Sequence, residues 1–291
     1  MSIPSQDLTL DAAIQPAQAL RFGRVRRAGR LTNVYWVLFA IFVFVAIFAP
    51  LIVPYDPVKA NVAERLLAPS WHHLFGTDSN GMDVFSRVLS ATRTDFSVAI
   101  GGVAISVLLG APLGAISGYT GGLFGEALSR VAEMLQSIPI FLFALMVLAA
   151  LGNSKALLVG MIAFVTTPVF LKLTRSVVLP LRSRDFIASA RCAGLRPGAI
   201  MARHVLPNAL GPIASQLSIS CAYAIQIVAG LSFLGLGVKI PEPEWGSMIQ
   251  QGSEYVLFGQ WWVSVFPGVA VLLAVITFGG LGRQLSAWYE H

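Results

Sequence analysis

Apolar and polar positions along the chain fall into long blocks. Six apolar runs stand out, at residues 34–53, 96–119, 131–151, 156–173, 211–235 and 263–281. Each approaches the roughly 20 residues an α-helix needs to cross the hydrocarbon core of a bilayer. Helices satisfy their own backbone hydrogen bonds there, which loops cannot do. The pattern predicts an all-α membrane protein with six transmembrane helices. Between the runs lie polar blocks: a tail at 1–33, a segment at 55–95 after the first helix (34–54), a segment at 174–210, a loop at 239–262 and a tail at 286–291. The five later helices form one unit, 96–285. Residues 121–130 read as a turn between the second and third spans. In the second span Gly102, Ser106, Gly110, Gly114 and Gly118 recur every four residues and make one face of small side chains, which allows a neighbouring helix to approach closely.

Charge orients these spans. Only 12% of residues are charged and 56% are hydrophobic; soluble domains carry about 25% charged residues. The mean hydropathy is +0.73. The net charge of +6 is no nucleic-acid signal, because the excess sits in two places. Arg21, Arg24, Arg26, Arg27 and Arg30 precede the first span, and Lys172, Arg175, Arg182, Arg184, Arg191, Arg196 and Arg203 face one acid, Asp185, around the fourth-to-fifth connection. Positive flanks stay in the cytoplasm. Both termini and the 174–210 segment are therefore expected inside, and 55–95 and 239–262 outside.

Within the inner segment, residues 185–208 (DFIASARCAGLRPGAIMARHVLPN) form a basic, bent stretch. It predicts two short helices, 185–193 and 197–205. Asp185 is the expected N-cap of the first and Gly194 its C′ residue, and Pro197 opens the second. Leu206-Pro207 is expected to turn the chain out of helix before the next span.

Chemistry within the chain is scarce. His72-His73 are adjacent and lack partners at metal-ligand spacing, so they read as loop residues. Asp78-Ser79-Asn80-Gly81 opens like a calcium loop, but the position needing Glu is Arg87, and a turn with side-chain caps is the better reading. Hydrolase, zinc-protease and Walker motifs are absent from the sequence. Glu133 and Lys172 lie near span ends, leaving no carboxylate near the bilayer midplane for proton or sodium coupling. Cys192 and Cys221 suit packing roles. If solute moves uphill, its energy enters from another chain, and the basic elbow is where that chain would bind.

The elbow resembles the cytoplasmic coupling loop of bacterial ABC-importer permeases. The matching residues are Ala188-Ser189-Ala190, Gly194 and Val205-Leu206-Pro207. Arg203-His204-Val205-Leu206-Pro207-Asn208 is similar to the dipeptide, oligopeptide and nickel branch. Phe75-Gly76-Thr77-Asp78, Ser137-Ile138-Pro139, Leu231 to Val238 (LSFLGLGV), Pro243-Glu244-Trp245-Gly246-Ser247-Met248 and Phe266-Pro267-Gly268 agree. Together these cover residues 30–285 and look most like the second, C-type subunit. The sequence departs from the family pattern at Ala188, where the family has Glu, at Met82 within Gly81-Met82-Asp83, and at Arg283 after Leu281-Gly282.

The resemblance implies the type I importer permease fold in a bacterial inner membrane. It implies a second permease subunit, two cytoplasmic ATPases and an extracytoplasmic solute-binding protein. ATP and magnesium would serve the partner ATPase; this chain would bind no cofactor or metal and catalyse nothing itself. Peptides are the implied solute, with nickel, opines or another small solute as the alternative, and an ATPase-independent carrier as a more distant one. The coupling residues carried over are Asp185, Phe186, Ile187, Ala188, Ser189, Ala190, Arg191, Gly194, Arg203, His204 and Pro207, with Phe186, Ile187, Ala190 and Arg191 in or beside the ATPase groove. Tyr223 and Gln226 either line the pathway or hydrogen-bond between helices. Glu242, Glu244 and Trp245 either meet the binding protein or are exposed turn residues.

Overall fold

The computed structural model describes the backbone of residues 21–289 and the side chains of 34–289. The tail at 1–20, the side chains of the Arg21–Arg30 cluster and residues 290–291 lie outside the described residues. Among the described residues the regular elements are helical: α1 (Arg21–Ile52), α2 (Val84–Thr120), α3 (Gly122–Gln136), α4 (Ile140–Leu151), α5 (Lys155–Leu181), α6 (Asp185–Cys192), α7 (Pro197–Ile200), α8 (Leu206–Phe233), α9 (Trp245–Val256) and α10 (Trp262–Tyr289). A 3₁₀ turn spans Val62–Glu64.

Among the described residues five helices are long and apolar enough to cross a membrane, and α3 with α4 makes a sixth if their 78° bend is one broken span. The bend falls at Ser137-Ile138-Pro139, where Pro139 caps α4 and, having no N–H, ends regular helix before it. The predicted turn at 121–130 is instead most of α3.

Two other boundaries move outward. α2 begins at Val84 rather than near 96, because the Asp83 carboxylate caps it: Ser86 N donates at 2.8 Å, and the Ser86 hydroxyl donates at 2.7 Å. Residues 84–95 read as polar largely because their buried inner face includes Ser86, Arg87, Thr92, Thr94 and Asp95. α5 runs on to Leu181, past the predicted end at 173. The loop at 239–262 holds α9, capped by Glu244.

The small-residue face of α2 packs on α5. A Cβ on Gly102 would lie 2.6 Å from Ile162, one on Gly110 would lie 2.5 Å from the Thr167 carbonyl, and one on Gly118 would lie 2.9 Å from Val178; Gly114 meets the Leu171 carbonyl even more closely. The one hydroxyl in the stripe, Ser106, donates across the contact to Ala163 O at 3.1 Å or pairs with Thr166. Close backbone approach maximises van der Waals contact where no hydrophobic drive exists between helices. At the other side of α2, Phe42 of α1, Phe96, Trp245 and Phe278 of α10 form an aromatic cluster with centroids 5.3–6.2 Å apart.

The segment 55–83 is fastened by buried polar groups. Arg87 donates to Pro57 O at 2.7 Å and lies 3.5 Å from Asp78. His73 Nδ1 meets Asp83 at 2.9 Å. Asp78 accepts from Asn80 N and Met82 N at 2.8 and 3.0 Å, the side-chain-capped turn expected there, with Gly81 at φ +74°.

Candidate functional site

The elbow is built by local rules. Its first helix, α6, has Arg184 in the capping position with extended backbone, and Asp185 is the first helical residue with no capping hydrogen bond. The expected Asp185 cap is thus displaced by one residue; its carboxylate still favours the positive N-terminal end of the helix. The C-terminus closes as predicted. Gly194 sits at φ +78°, its N–H reaches Arg191 O at 3.0 Å, and Leu195 N–H reaches Ala190 O at 3.1 Å. This is a Schellman closure, which needs a left-handed residue at C′.

The second half differs from expectation. Pro197 opens α7 with Arg196 as its cap. The chain then continues as a π-turn through Met201–Val205 into α8, with Leu206 N–H bonded to Met201 O. Leu206-Pro207 does not leave the helix: Pro207 occupies its first turn. The wider π-turn accommodates the proline, and Asn208 Nδ2 occupies the His204 carbonyl at 2.6 Å. The second half of the elbow and the fifth apolar run are therefore one continuous helical stretch, Pro197–Phe233.

The elbow has two faces. Ile187, Ala190, Ile200 and Val205 are buried with Ala115 of α2 and Val178 of α5, and Tyr119, Leu195 and Met201 pack around them. Ile187 and Ala190 were expected in a partner's groove. They anchor the elbow to its own bundle instead, because α6 repeats apolar residues at i, i+3 and only one stripe can face inward. The outward face carries Asp185, Phe186, Ala188, Ser189, Arg191, Gly194, Arg203 and Pro207. Phe186 is 43% exposed, and its ring lies 6.4 Å from that of half-buried His204. The Arg191 guanidinium sits 5.3 Å from the Tyr119 ring. Tyr119, at the end of α2, is part of this anchor; sequence reading missed it because it reads as a span-end aromatic.

The remaining candidates separate. Tyr223 and Gln226 are both exposed, one turn apart on α8. Neither hydrogen-bonds another helix among the described residues, whereas Ser218 on the same helix does, to Phe278 O at 3.0 Å. Glu244 and Trp245 are fully buried. The Glu244 carboxylate caps α9 through Gly246 N and Ser247 N, both at 2.8 Å. Trp245 donates from its indole to Val88 O at 3.0 Å and from its backbone to Asp95 at 3.2 Å. Burial raises the Glu244 carboxyl above the ordinary carboxylate range, against the lowering effect of its two backbone N–H bonds. These two residues present no surface to a binding protein; they pin α9 to α2. Only Glu242 of the three remains partly exposed, paired with Lys155.

Comparison with known proteins decides the family. The family described as "Binding-protein-dependent transport system inner membrane component" matches residues 110–290. The chain belongs to this family. An N-terminal transmembrane domain of oligopeptide transport permease C matches residues 36–69, which places the chain with the C-type permeases. It is 36% identical to the dipeptide transport system permease protein DppC of Alkalihalophilus pseudofirmus, over 89% of this chain and 85% of that one. It is 34% identical to the probable D,D-dipeptide transport system permease protein DdpC of Escherichia coli, over 93% and 92%. It is 35% identical to the di/tripeptide transport system permease protein DppC of Pseudomonas aeruginosa, over 84% and 82%. A chain of the inward-facing MetNI methionine ABC transporter shares the fold at TM-score 0.57 and 15% identity, over 70% of this chain and 97% of that one. The protein is a multi-pass inner-membrane permease subunit of an ABC importer.

Proposed function

We propose that this permease passes di- or oligopeptides, delivered by an extracytoplasmic binding protein, and that residues 185–208 receive the stroke of a cytoplasmic ATPase. The peptide reading is carried by relatives named for dipeptides that match along most of the chain. The coupling reading is supported by the two-faced elbow. Its buried stripe ties it to the ends of α2 and α5, and its second half is continuous with α8. A partner gripping Phe186, Ala188, Ser189 and Arg191 would therefore move three spans at once. Gly194 sets the bend, and Arg203 and His204 brace it. The exposed Tyr223–Gln226 face of that same α8 is the proposed pathway wall.

In this reading α3 and α4 count as one broken span, which gives six spans with both termini cytoplasmic. A second permease completes the pathway, and two ATPase chains use ATP and magnesium. ATP binding closes the ATPase pair and favours the outward-open state; hydrolysis restores the inward-facing one. Coupling arises because ATP and solute each bind the two states unequally. The test is reconstitution of the full importer in proteoliposomes. Labelled dipeptide should accumulate only with ATP and the binding protein. Accumulation by this chain without the ATPase would contradict the reading.

A further inference from the structure

At the end of α2 opposite the elbow, a crevice of about 770 Å³ lies between the C-terminal end of α1, α2, the start of α5 and the 242–243 turn. We propose that this crevice is a phospholipid site, in which Arg93 holds the headgroup phosphate.

Depth is the first argument. α2 has 37 residues, about 55 Å at 1.5 Å per residue, whereas the hydrocarbon core is about 30 Å thick. Its continuous apolar part begins at Phe96, so Arg93 stands one turn above the core, at the level of the headgroups. The C-terminal end of α1, which forms the facing wall, lies at the same level.

Charge is the second. Of the charged side chains lining the crevice, Lys155 and Glu242 are paired with each other. Thr94 also donates to Glu242, at 3.4 Å. Asp56 caps its own turn, accepting from Val58 N at 3.0 Å. Arg93 alone has no partner among the described residues. An arginine at a membrane boundary is costly unless it is paired or reaches the headgroup layer, and its planar fork suits a phosphate.

The third argument is what borders the crevice. Only 6% of the apolar window of α1 is buried within the chain, so this helix leaves an apolar face beside the crevice that the chain itself does not cover. Val53 supplies an apolar wall where an acyl chain would leave the headgroup. The cavity combines one cation unpartnered among the described residues, a Lys155–Glu242 ion pair, one carboxylate held by its own turn and an apolar exit at the C-terminal end of α1. An apolar exit beside the guanidinium at headgroup level suits a phosphate carrying acyl chains, which a free peptide lacks.

The experiment is native mass spectrometry of the intact importer, released from detergent after incubation with phosphatidylethanolamine or phosphatidylglycerol. Wild-type importer should retain one more tightly held phospholipid per copy of this chain than the Arg93→Glu variant, whose affinity should fall at least about tenfold. Val53→Trp, which fills the crevice without changing charge, should lose the same lipid, and it keeps the test decisive if Arg93→Glu fails to assemble. Arg130→Glu, on exposed α3, should retain it. Equal retention by wild type and both crevice variants would overturn the proposal. So would displacement of the ligand by millimolar inorganic phosphate, which would make this a free-anion site, or retention of peptide in place of lipid.

Discussion

At the scale of single residues, the departure at Ala188 carries a specific expectation. Ala188 is on the exposed face of α6, at the position where the resemblance implies Glu. In the proposed coupling the elbow docks by shape, with exposed Phe186 as its apolar contact. Restoring the charge with Ala188→Glu adds at most an exposed ion pair, typically 0–1 kcal/mol. ATP-driven uptake should therefore change by less than about fivefold. A larger rise would show that charge, not shape, limits docking. Glu244 gives a second expectation. Its carboxyl is raised by burial, so between its unfolded and folded values the folded state holds more protons than the unfolded one, and stability falls as pH rises through that window. The melting temperature of the importer in detergent should decline from pH 4.5 upward through that window. Glu244→Gln should flatten that slope. An unchanged or steeper slope in Glu244→Gln would refute the assignment.

At the scale of elements, some features were legible in the sequence and others were not. The every-fourth-residue stripe of α2 named its own packing face, because only Gly and Ser permit the approach seen against α5. Gly194 named the bend, because a left-handed residue closes α6. The start of α2 was hidden: its first turns bury Arg87 and Asp95, and hydropathy reads buried polar residues as loop. Pro207 misled for a related reason. Proline predicts a break, but a π-turn immediately before it leaves room for it within the helix. Burial of Glu244 and Trp245 depends on contacts with α2 about 150 residues away, which no local pattern carries. The α2–α5 contact supplies the test. Gly110→Leu inserts a side chain where even a Cβ would lie 2.5 Å from the Thr167 carbonyl and 2.9 Å from Phe170. Overpacking of this kind costs 1–3 kcal/mol or more. The variant should melt several degrees lower or fail to assemble. Gly160→Ala on α5, with open space around its Cβ, should behave as wild type. Equal stability of the two variants would show that the stripe is not a packing surface.

At the scale of the whole molecule, the proposed coupling makes the elbow a lever bent at Gly194. The elbow is anchored inward by Ile187 and Ala190, exposed outward through Phe186, and continuous with α8, which presents Tyr223 and Gln226. Its working part is the bend at Gly194, where φ is +78° and no neighbouring atom would obstruct a side chain. A β-branched residue there disfavours the bend by backbone strain alone, roughly 1–2 kcal/mol, without disturbing the bundle. The most direct measurement is therefore paired ATP hydrolysis and dipeptide uptake by reconstituted importer carrying Gly194→Val. The account predicts normal membrane insertion, continued ATP hydrolysis and loss of most uptake. Uptake at the wild-type rate per ATP hydrolysed would contradict it.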